Sequence, residues 1–269
     1  MSNELRVMSP ERTFTIAALA VALAAGMTCT RHSSLITHHS SLTSHHSLLR
    51  VCADPNNLPF SNAKGDGFEN KIAELIARDF HSDVRYTFLP QRLGFVRNTL
   101  KHGDCDVIIG VPTNYEQAST TQPYYRSSYV FVSRNHAIES LDDPRLRSMR
   151  IGVLIPSPAV QALSTRSLSI HAYPVLDDGA HELVTAVARG EVDVAIVWGP
   201  QGGYFARNQH LDITPVSPQI DPPFLPFVYD ISMGVRRGDT RLRARLDDEI
   251  ERRRADIDRI LDSYGVPRV

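Results

Sequence analysis

The alternation of hydrophobic and polar residues becomes regular from Arg50 onward and predicts a series of short strands and amphipathic helices. Three strands are predicted by the runs LLRVCADP, DVRYTFLP and CDVIIGVP, the last of which is apolar throughout, as is typical of a strand buried on both faces. Two helices are predicted between them by FENKIAELIARDF and RLGFVRNTLKHG, the second ending at Gly103. This order predicts a parallel sheet wrapped by helices.

A second block of the same kind follows the first. It begins with MRIGVLIPSPAVQAL, which predicts a strand, a turn and a helix, and ends with the helix and strand of DGAHELVTAVARGEVDVAIVWGP. The segments HGDCDVIIG and RGEVDVAIVWG close the two blocks alike, with a glycine before an apolar strand. The pattern therefore predicts two α/β lobes of similar plan. A further strand, YDISMGVRRGD, and a charged helix over 240–262 are predicted after the proline-rich segment 222–227.

The N-terminal region does not follow this pattern. Residues 1–29 place Arg6 and Arg12 ahead of the apolar run FTIAALAVALAA, which predicts a secretory signal peptide. Residues 30–49 are rich in serine and histidine and are predicted to be a disordered linker. The five histidines of this stretch fit metal binding or a simple tether, and we favour the tether because no cysteine or carboxylate accompanies them. Lipidation of Cys29 is the less favoured alternative to plain secretion.

Composition excludes several classes of protein. With 29 Lys and Arg against 30 Asp and Glu, the chain lacks the basic excess of a nucleic-acid binder. Three scattered cysteines are too few for a zinc finger or a disulfide-rich scaffold. The only strongly apolar run is the N-terminal one, which is too short to cross a bilayer, so no transmembrane span is expected in the mature protein.

The motifs taken together resemble a known family. The segments GFENKIAELIARDF, HGDCDVIIG and QPYYRSSYVFVSR resemble family 3 periplasmic solute-binding proteins. A closer likeness, to the MxaJ/XoxJ-like branch, is carried in order by VCADPNNLPFSN, GFENKIAEL, PQRLGFVRNTL, CDVIIGVP and IVWGPQGGYFA. Proteins of that branch accompany periplasmic PQQ-dependent methanol dehydrogenases.

The resemblance implies an α/β fold: a two-lobed periplasmic binding protein (type II clamshell) with two hinge-crossing strands. Lobe 1 is then expected at 50–135 plus 226–269 and lobe 2 at 136–225. A periplasmic location and closure of the lobes around a ligand or partner are also implied.

A cleft is expected where the strands end, because ligands of open α/β sheets bind beyond the carboxyl ends of the strands. The candidate residues for contact with a ligand or partner share this position, together with the start of the first helix. They are Asp54, Asn56, Asn57, Phe60, Glu69, Gln91, Arg92, Phe95, Pro112, Thr113, Ser157, Trp198, Gln201 and Tyr204.

Two charge anchors that the resemblance implies for an amino-acid receptor look absent. Such a receptor has an arginine after the third strand, in a Thr-x-x-Arg context, but this chain continues from Thr113 to Gln117 without one. It also has an acid at the end of the last strand of lobe 2, where this chain has Trp198-Gly199. Buried zwitterions need both partners, so a standard amino acid is not the expected ligand.

Several individual side chains keep two interpretations. The aromatic rings near Trp198 and Tyr204 fit either stacking on a ligand or packing that fills an unused cleft. Arg92 fits an anion site or an ion pair, and we favour the ion pair. Ser157 fits a helix cap or an anion contact, and capping is the simpler interpretation.

Cys52 and Cys105 are candidates for a disulfide. They lie on the first and third strands of lobe 1, which are neighbours in the implied fold, and the periplasm is oxidising. A disulfide requires Cα atoms within ~7 Å, and two buried free thiols remain the alternative.

Three functions follow from this pattern. We expect a non-enzymatic accessory protein that contacts a quinoprotein methanol or alcohol dehydrogenase, with no cofactor or metal of its own. The alternative is the substrate-binding component of an ABC importer for a small solute other than a standard amino acid. An enzyme is less favoured, because only Asp54 and Glu69 are candidate acids in the cleft and no catalytic triad, phosphate loop or metal-ligand spacing is present.

Overall fold

The computed structural model describes residues 47–135, 138–175 and 178–269. The predicted signal peptide 1–29, the question of Cys29 lipidation, and the linker 30–49 up to His46, with its five histidines, lie outside the described residues.

The elements of the first half follow one another in the predicted strand–helix order. They are β1 (Ser47–Ala53), β2 (Asn56–Asn57), β3 (Ser61–Asn62), α1 (Phe68–Asp79), β4 (Ser82–Phe88), α2 (Phe95–Asn98), β5 (Val107–Pro112) and β6 (Ser119–Ser133).

The second half repeats the strand–helix alternation and then returns to the first. After a short 3-10 helix (Pro144–Ser148) come β7 (Ile151–Ile155), α3 (Pro158–Thr165), β8 (Ile170–Pro174), α4 (Gly179–Arg189), β9 (Val194–Trp198), α5 (Gly199–Ala206), β10 (Asp212–Pro215), β11 (Ile220–Asp221), β12 (Leu225–Pro226), β13 (Val228–Val235), α6 (Thr240–Arg252) and α7 (Arg254–Ser263).

One sheet of nine strands runs through the described residues, in the order β4-β1-β5-β13-β6-β9-β7-β8, with β10 also paired to β6. At one end β1 pairs in parallel with β4 and β5, and at the other end β7 pairs in parallel with β8 and β9. The two strands in the middle, β6 and β13, are antiparallel to their neighbours. The predicted parallel units are therefore joined through a pair of antiparallel strands.

Strand β6 belongs to both halves of the sheet. Its residues 119–128 pair with β13, and its residues 129–133 pair with β9 on one side and β10 on the other. The change of partner falls at Ser128 and Tyr129, within the region predicted as lobe 1. The lobe boundaries at 135/136 and 225/226 remain a prediction.

Separate apolar cores support the two halves. In the first, α1 buries Phe68, Ile72 and Ile76 on one face of the sheet, against residues of α6 and α7 such as Ile250 and Leu261. In the second, α3 covers one face of β7 and β9 and α4 covers the other. Strands β5, β7 and β9 are buried almost throughout, as the continuous apolar runs predict for strands covered on both faces.

Strand β1 begins before the predicted end of the linker. Ser47, Leu48 and Leu49 pair residue by residue with Ser82, Asp83 and Val84 of β4. Leu49 is buried in the core of the first half. The linker prediction for residues 47–49 is therefore corrected, because sheet pairing and one buried side chain extend the strand toward the N-terminus.

The helix predicted to end at Gly103 is much shorter than its pattern. Helix α2 covers only Phe95–Asn98, and Thr99 leaves the helical region with φ −126° and ψ −82°. The Thr99 hydroxyl donates to the Phe95 carbonyl at 2.7 Å, a local bond that threonine uses in competition with the helix.

The C-terminal helix predicted over 240–262 is divided in two at Arg253. This residue takes φ −105° and ψ 17° between α6 and α7. Its guanidinium donates to the Asp79 carboxylate from Nε at 2.5 Å and from Nη2 at 2.7 Å, which ties the break to the end of α1. The same ion pair holds the pKa of Asp79 well below its ordinary value. Sequence periodicity carries no signal for this break, because it depends on a contact with a distant helix.

A disulfide joins β1 to the start of β5. Cys52 and Cys105 are bonded, with their Cα atoms 5.5 Å apart and a sequence separation of 53. Both cysteines are buried in an apolar cluster with Phe95 and Leu100.

Replacing both cysteines by alanine is expected to lower the free energy of unfolding by about 4 kcal/mol, because the closed loop restricts the unfolded chain. Urea unfolding of the wild type and of the Cys52→Ala/Cys105→Ala variant measures the difference. A reductant should destabilise the wild type and leave the double variant unchanged. Equal stability of the wild type with and without reductant would contradict the prediction.

Candidate functional site

A cavity of about 410 Å³ lies where the carboxyl ends of β1, β5 and β9 meet the two central strands. Its position obeys the rule that ligands of open α/β sheets sit beyond strand ends. The lining residues come from both halves of the sheet. They are Asn57, Phe60, Glu69, Gln91, Gly110, Val111, Pro112, Tyr125, Tyr129, Trp198, Tyr229 and Ile231.

Asp54 organises the polar side of the cavity. Its carboxylate accepts hydrogen bonds from the backbone N–H of Asn56 at 2.8 Å and of Gln91 at 2.5 Å. The Asn57 amide donates to the Gln91 side-chain oxygen at 3.4 Å. Asp54 thereby holds the loop after β1 against the loop after β4, and the two amide side chains face the cavity from these loops.

Glu69 is placed by the first turn of α1. Its backbone N–H donates to the Phe60 carbonyl at 2.9 Å, an approach that only a glycine at position 67 permits, because a Cβ there would collide with that carbonyl. The Glu69 carboxylate lies against Gly110 of β5, where a Cβ would collide with it. Gly67 therefore permits the start of α1 at this place, and Gly110 leaves the space that the carboxylate occupies at the cavity wall.

The Glu69 carboxylate has no protein partner. No hydrogen bond or ion pair joins it to any residue that the structure describes, and its exposed part faces the cavity. Burial and, second, the negative charge of Asp54 raise the pKa of Glu69 to about 8. A carboxyl group in this state is partly protonated at neutral pH.

Aromatic rings form the opposite wall. The Trp198 ring lies 5.5 Å from Tyr129, at an interplanar angle of 58°, and 5.7 Å from Tyr229, at 76°. Phe60 and Tyr125 add two further rings, and Phe60 packs edge-on against Phe68 of α1. The ring pairs therefore meet at steep angles instead of forming parallel plates.

Burial keeps the phenols of this wall neutral. It raises the pKa of Tyr129, and it raises the pKa of Tyr125 well above its ordinary value, with the negative charge of Glu69 acting in the same direction. The Tyr229 hydroxyl donates to the Pro226 carbonyl at 3.2 Å. The wall therefore offers ring faces and neutral hydroxyl groups at every physiological pH.

Six of the predicted contact residues line this cavity: Asn57, Phe60, Glu69, Gln91, Pro112 and Trp198. Asp54 and Asn56 lie beside it in the loop that holds Gln91. Arg92 and Phe95 line a neighbouring cavity of about 350 Å³, which shares Gln91 and Pro112 with the first.

Thr113 and Ser157 do not line this cavity. The Thr113 hydroxyl lies 2.7 Å from the Ser232 hydroxyl and donates to the Asp230 carbonyl at 3.1 Å, so it joins β5 to β13. Ser157 precedes α3, but its buried hydroxyl makes no capping bond and has no hydrogen-bond partner among the described residues.

Gln201 and Tyr204 lie in helix α5, which begins at Gly199. The Tyr204 ring stacks on Tyr264 at 5.9 Å, and the Arg207 guanidinium lies 4.9 Å from its centroid. Neither residue lines the cavity. The segment after Trp198 is thus a helix packed on the C-terminal segment, and only Trp198 itself reaches the cavity.

Sequence reasoning missed the residues that the two central strands contribute. Tyr125 and Tyr129 come from β6, and Tyr229 and Ile231 come from β13. These strands were read only as hinge crossings. Their tyrosines, spaced at even intervals in segments predicted to be strands, were the available signal, because such residues share one face.

The comparison with known proteins establishes the family. Residues 49–267 match the bacterial extracellular solute-binding proteins, family 3, and the chain belongs to this family. MoxJ of Methylorubrum extorquens is 31% identical over 245 residues, which cover 81% of this chain and 81% of MoxJ. MoxJ of Paracoccus denitrificans is 29% identical over 245 residues, which cover 81% of this chain and 88% of that protein.

A solved structure extends the likeness to three dimensions. The periplasmic binding protein XoxJ from Methylobacterium extorquens AM1 is 40% identical, with a TM-score of 0.70, and the match covers 82% of this chain and 99% of XoxJ. The resemblance to the MxaJ/XoxJ-like branch and the predicted two-lobed fold are confirmed by these matches. Within the described residues, no helix is both long enough and apolar enough to span a bilayer.

The raised pKa of Glu69 predicts a pH-dependent stability. Between about pH 5 and about pH 8 the unfolded chain releases this proton and the folded chain retains it, so the free energy of unfolding should fall as pH rises. The Glu69→Gln variant should lack this contribution. Urea unfolding from about pH 5 to about pH 8 gives the free energy of unfolding of the wild type and of Glu69→Gln as two curves. Their difference removes the contributions that both proteins share, such as that of Glu249, whose pKa is raised to about 7.

Glu74→Gln is the matched control, because Glu74 lies exposed on the same helix. Its curve should keep the slope of the wild type. Parallel curves for the wild type and Glu69→Gln would contradict the prediction.

Proposed function

We propose that the protein is a non-enzymatic periplasmic accessory protein that contacts a PQQ-dependent methanol or alcohol dehydrogenase. The observation that carries this proposal is the likeness to XoxJ, at 40% identity over 99% of that chain, together with the likeness to MoxJ. Proteins of that branch accompany such dehydrogenases. A role in bringing the partner enzyme to its active form is consistent with this association.

The chemistry of the cavity does not favour the binding of an amino acid. An amino-acid receptor needs a cation for the ligand carboxylate, and none of the described lining residues is basic. The residue at the end of β9 is Trp198, and the residue after β5 is Thr113, which serves to hold β13. An acid is therefore absent from the end of β9, and Glu116 stands where the Thr-x-x-Arg context places its arginine.

A binding role is also supported over a catalytic one by the isolation of Glu69. General acid–base catalysis normally couples the acting group to an orienting partner. The Glu69 carboxylate has none among the described residues, and Asp54 is engaged with two backbone N–H groups.

The second candidate function is the substrate-binding component of an ABC importer for a small solute. A cavity of about 410 Å³ between the halves of the sheet favours it, because sites for small molecules have volumes of this order.

Gene deletion distinguishes the two functions. Loss of the accessory role should reduce methanol-dependent dehydrogenase activity in periplasmic extracts, and a plasmid copy of the gene should restore it. Loss of an importer subunit should leave that activity intact and reduce uptake of a solute. Normal dehydrogenase activity in the deletion strain would contradict the first proposal.

An exposed leucine beside the cavity provides a test of contact with the partner. Leu93 is fully exposed in the loop between β4 and α2, next to the two cavities. A protein partner that covers this edge of the cleft would bury the Leu93 side chain, and burial of apolar surface favours binding. Leu93→Ser should weaken binding of the purified dehydrogenase by about tenfold, as measured by surface plasmon resonance.

Leu48→Ser is the matched control, because Leu48 is 49% exposed near the start of β1, at the end of the strand away from the cavity. It should bind the dehydrogenase like the wild type. An equal effect of both substitutions, or of neither, would place the contact elsewhere.

A further inference from the structure

The described cavity lining contains one ionisable acid and no base. Glu69 is the only acidic residue in its described lining, and that lining has no lysine, arginine or histidine. The remaining polar side chains are the amides of Asn57 and Gln91 and the phenols of three tyrosines. A ligand that complements this set carries a positive charge and no negative charge.

The arrangement of the rings indicates which shape of cation the cavity accommodates. Tyr129, Trp198 and Tyr229 all line the cavity, and they pack against one another at steep angles instead of as parallel plates. A planar ligand needs parallel plates on which to stack, whereas a rounded cation is bound by several ring faces at once. Methylated ammonium ions have this shape.

The unpaired carboxylate supplies the second half of the site. A buried carboxylate without a partner is unfavourable, and a bound cation would relieve this cost. Gly110 leaves the room that this carboxylate occupies at the cavity wall. A methylated ammonium ion is also weakly hydrated compared with a primary amine, which suits the apolar part of the lining.

We propose that this cavity binds a small organic cation, a tertiary or quaternary alkylammonium ion, held by the faces of Tyr129, Trp198 and Tyr229 and by the Glu69 carboxylate. This proposal goes beyond the accessory role and does not depend on it, because it concerns the chemistry of the ligand and not the identity of a protein partner.

The raised pKa of Glu69 adds a pH dependence to this site. Only the ionised carboxylate attracts the cation, so affinity should rise from pH 6 to about pH 8 and then level off. Asp54, from the loop after β1, and the phenols of Tyr86, Tyr124 and Tyr125, from β4 and β6, are the titratable groups that act on this carboxyl electrostatically. Burial raises the pKa of each of these phenols, so none of them ionises in this range.

The single tryptophan of the chain reports on the site directly. Trp198 lines the cavity and is the only tryptophan in the sequence, so its fluorescence changes when a ligand occupies the ring faces. Choline and tetramethylammonium are the cationic probes. Neohexanol, the neutral carbon isostere of choline, separates charge from shape, and glycine betaine adds a carboxylate for which the lining offers no partner.

Choline should change the fluorescence saturably, with neohexanol and betaine at least about tenfold weaker. Glu69→Gln should weaken choline by about tenfold at pH 8 and leave neohexanol unchanged, whereas Glu74→Gln should bind both like the wild type. Thermal melting of each variant shows that it is folded. Tyr129→Leu, a change in the ring wall, tests the site independently of Glu69 and should also weaken choline.

Two results would overturn the proposal. Equal affinity for choline and neohexanol would reduce the site to an apolar cavity, and no saturable change with either cation up to about 10 mM would remove the ligand class altogether. Neither result bears on the dehydrogenase partner, which the deletion strain tests separately.

Discussion

The register between β6 and β13 is the constraint on which the site depends. Ile231 pairs with Tyr125, and Tyr229 pairs with Ser127. Because side chains alternate along a strand, this register places Tyr125 and Tyr129 on the same face as Tyr229 and Ile231. A slip of one residue would turn the tyrosines of one strand to the other side of the sheet. The same strands join the two halves, so the connection between the halves and the wall of the cavity are one structure.

Because β6 and β13 both join the halves and carry the tyrosines, the aromatic wall packs on two cores at once. Trp198 ends β9 and packs with the core of the first half, while Tyr129 packs against Phe227 near the core of the second. Trp198 is therefore held by the core of the first half of the sheet, and Tyr129 by the core of the second half. Relative motion of the halves would therefore change the ring angles directly. A ligand that fills the space between the rings would act on both halves, which is how clamshell proteins couple binding to closure.

Much of the fold followed from local pattern, whereas the site required long-range contacts. The parallel strands β1, β5, β7 and β9 were predicted because buried strands produce continuous apolar runs that need no tertiary information. The break at Arg253 was not predicted, because it depends on an ion pair with Asp79 that lies 174 residues away in the sequence. The helix after Trp198 was not predicted, because its glycines and proline normally mark turns. In the structure, the missing side chains of Gly199 and Gly203 permit close packing against Pro267 and Gly265.

The cavity shows how a binding fold changes its chemistry without changing its architecture. A receptor for zwitterions needs two opposite charges at fixed separation, and each must be paired when the halves close. In this chain Glu116 stands where the Thr-x-x-Arg context places an arginine, and Thr113 bonds to Asp230 and Ser232. Trp198 supplies a ring where an acid would be needed, and Glu69 supplies the one charge that the described lining contains. In the site we propose, one acid and no base would favour ligands that carry a positive charge alone over ligands that carry both charges. Gly110 leaves space for the Glu69 carboxylate, and burial raises the pKa of this group, so that it can be neutral when no cation is bound.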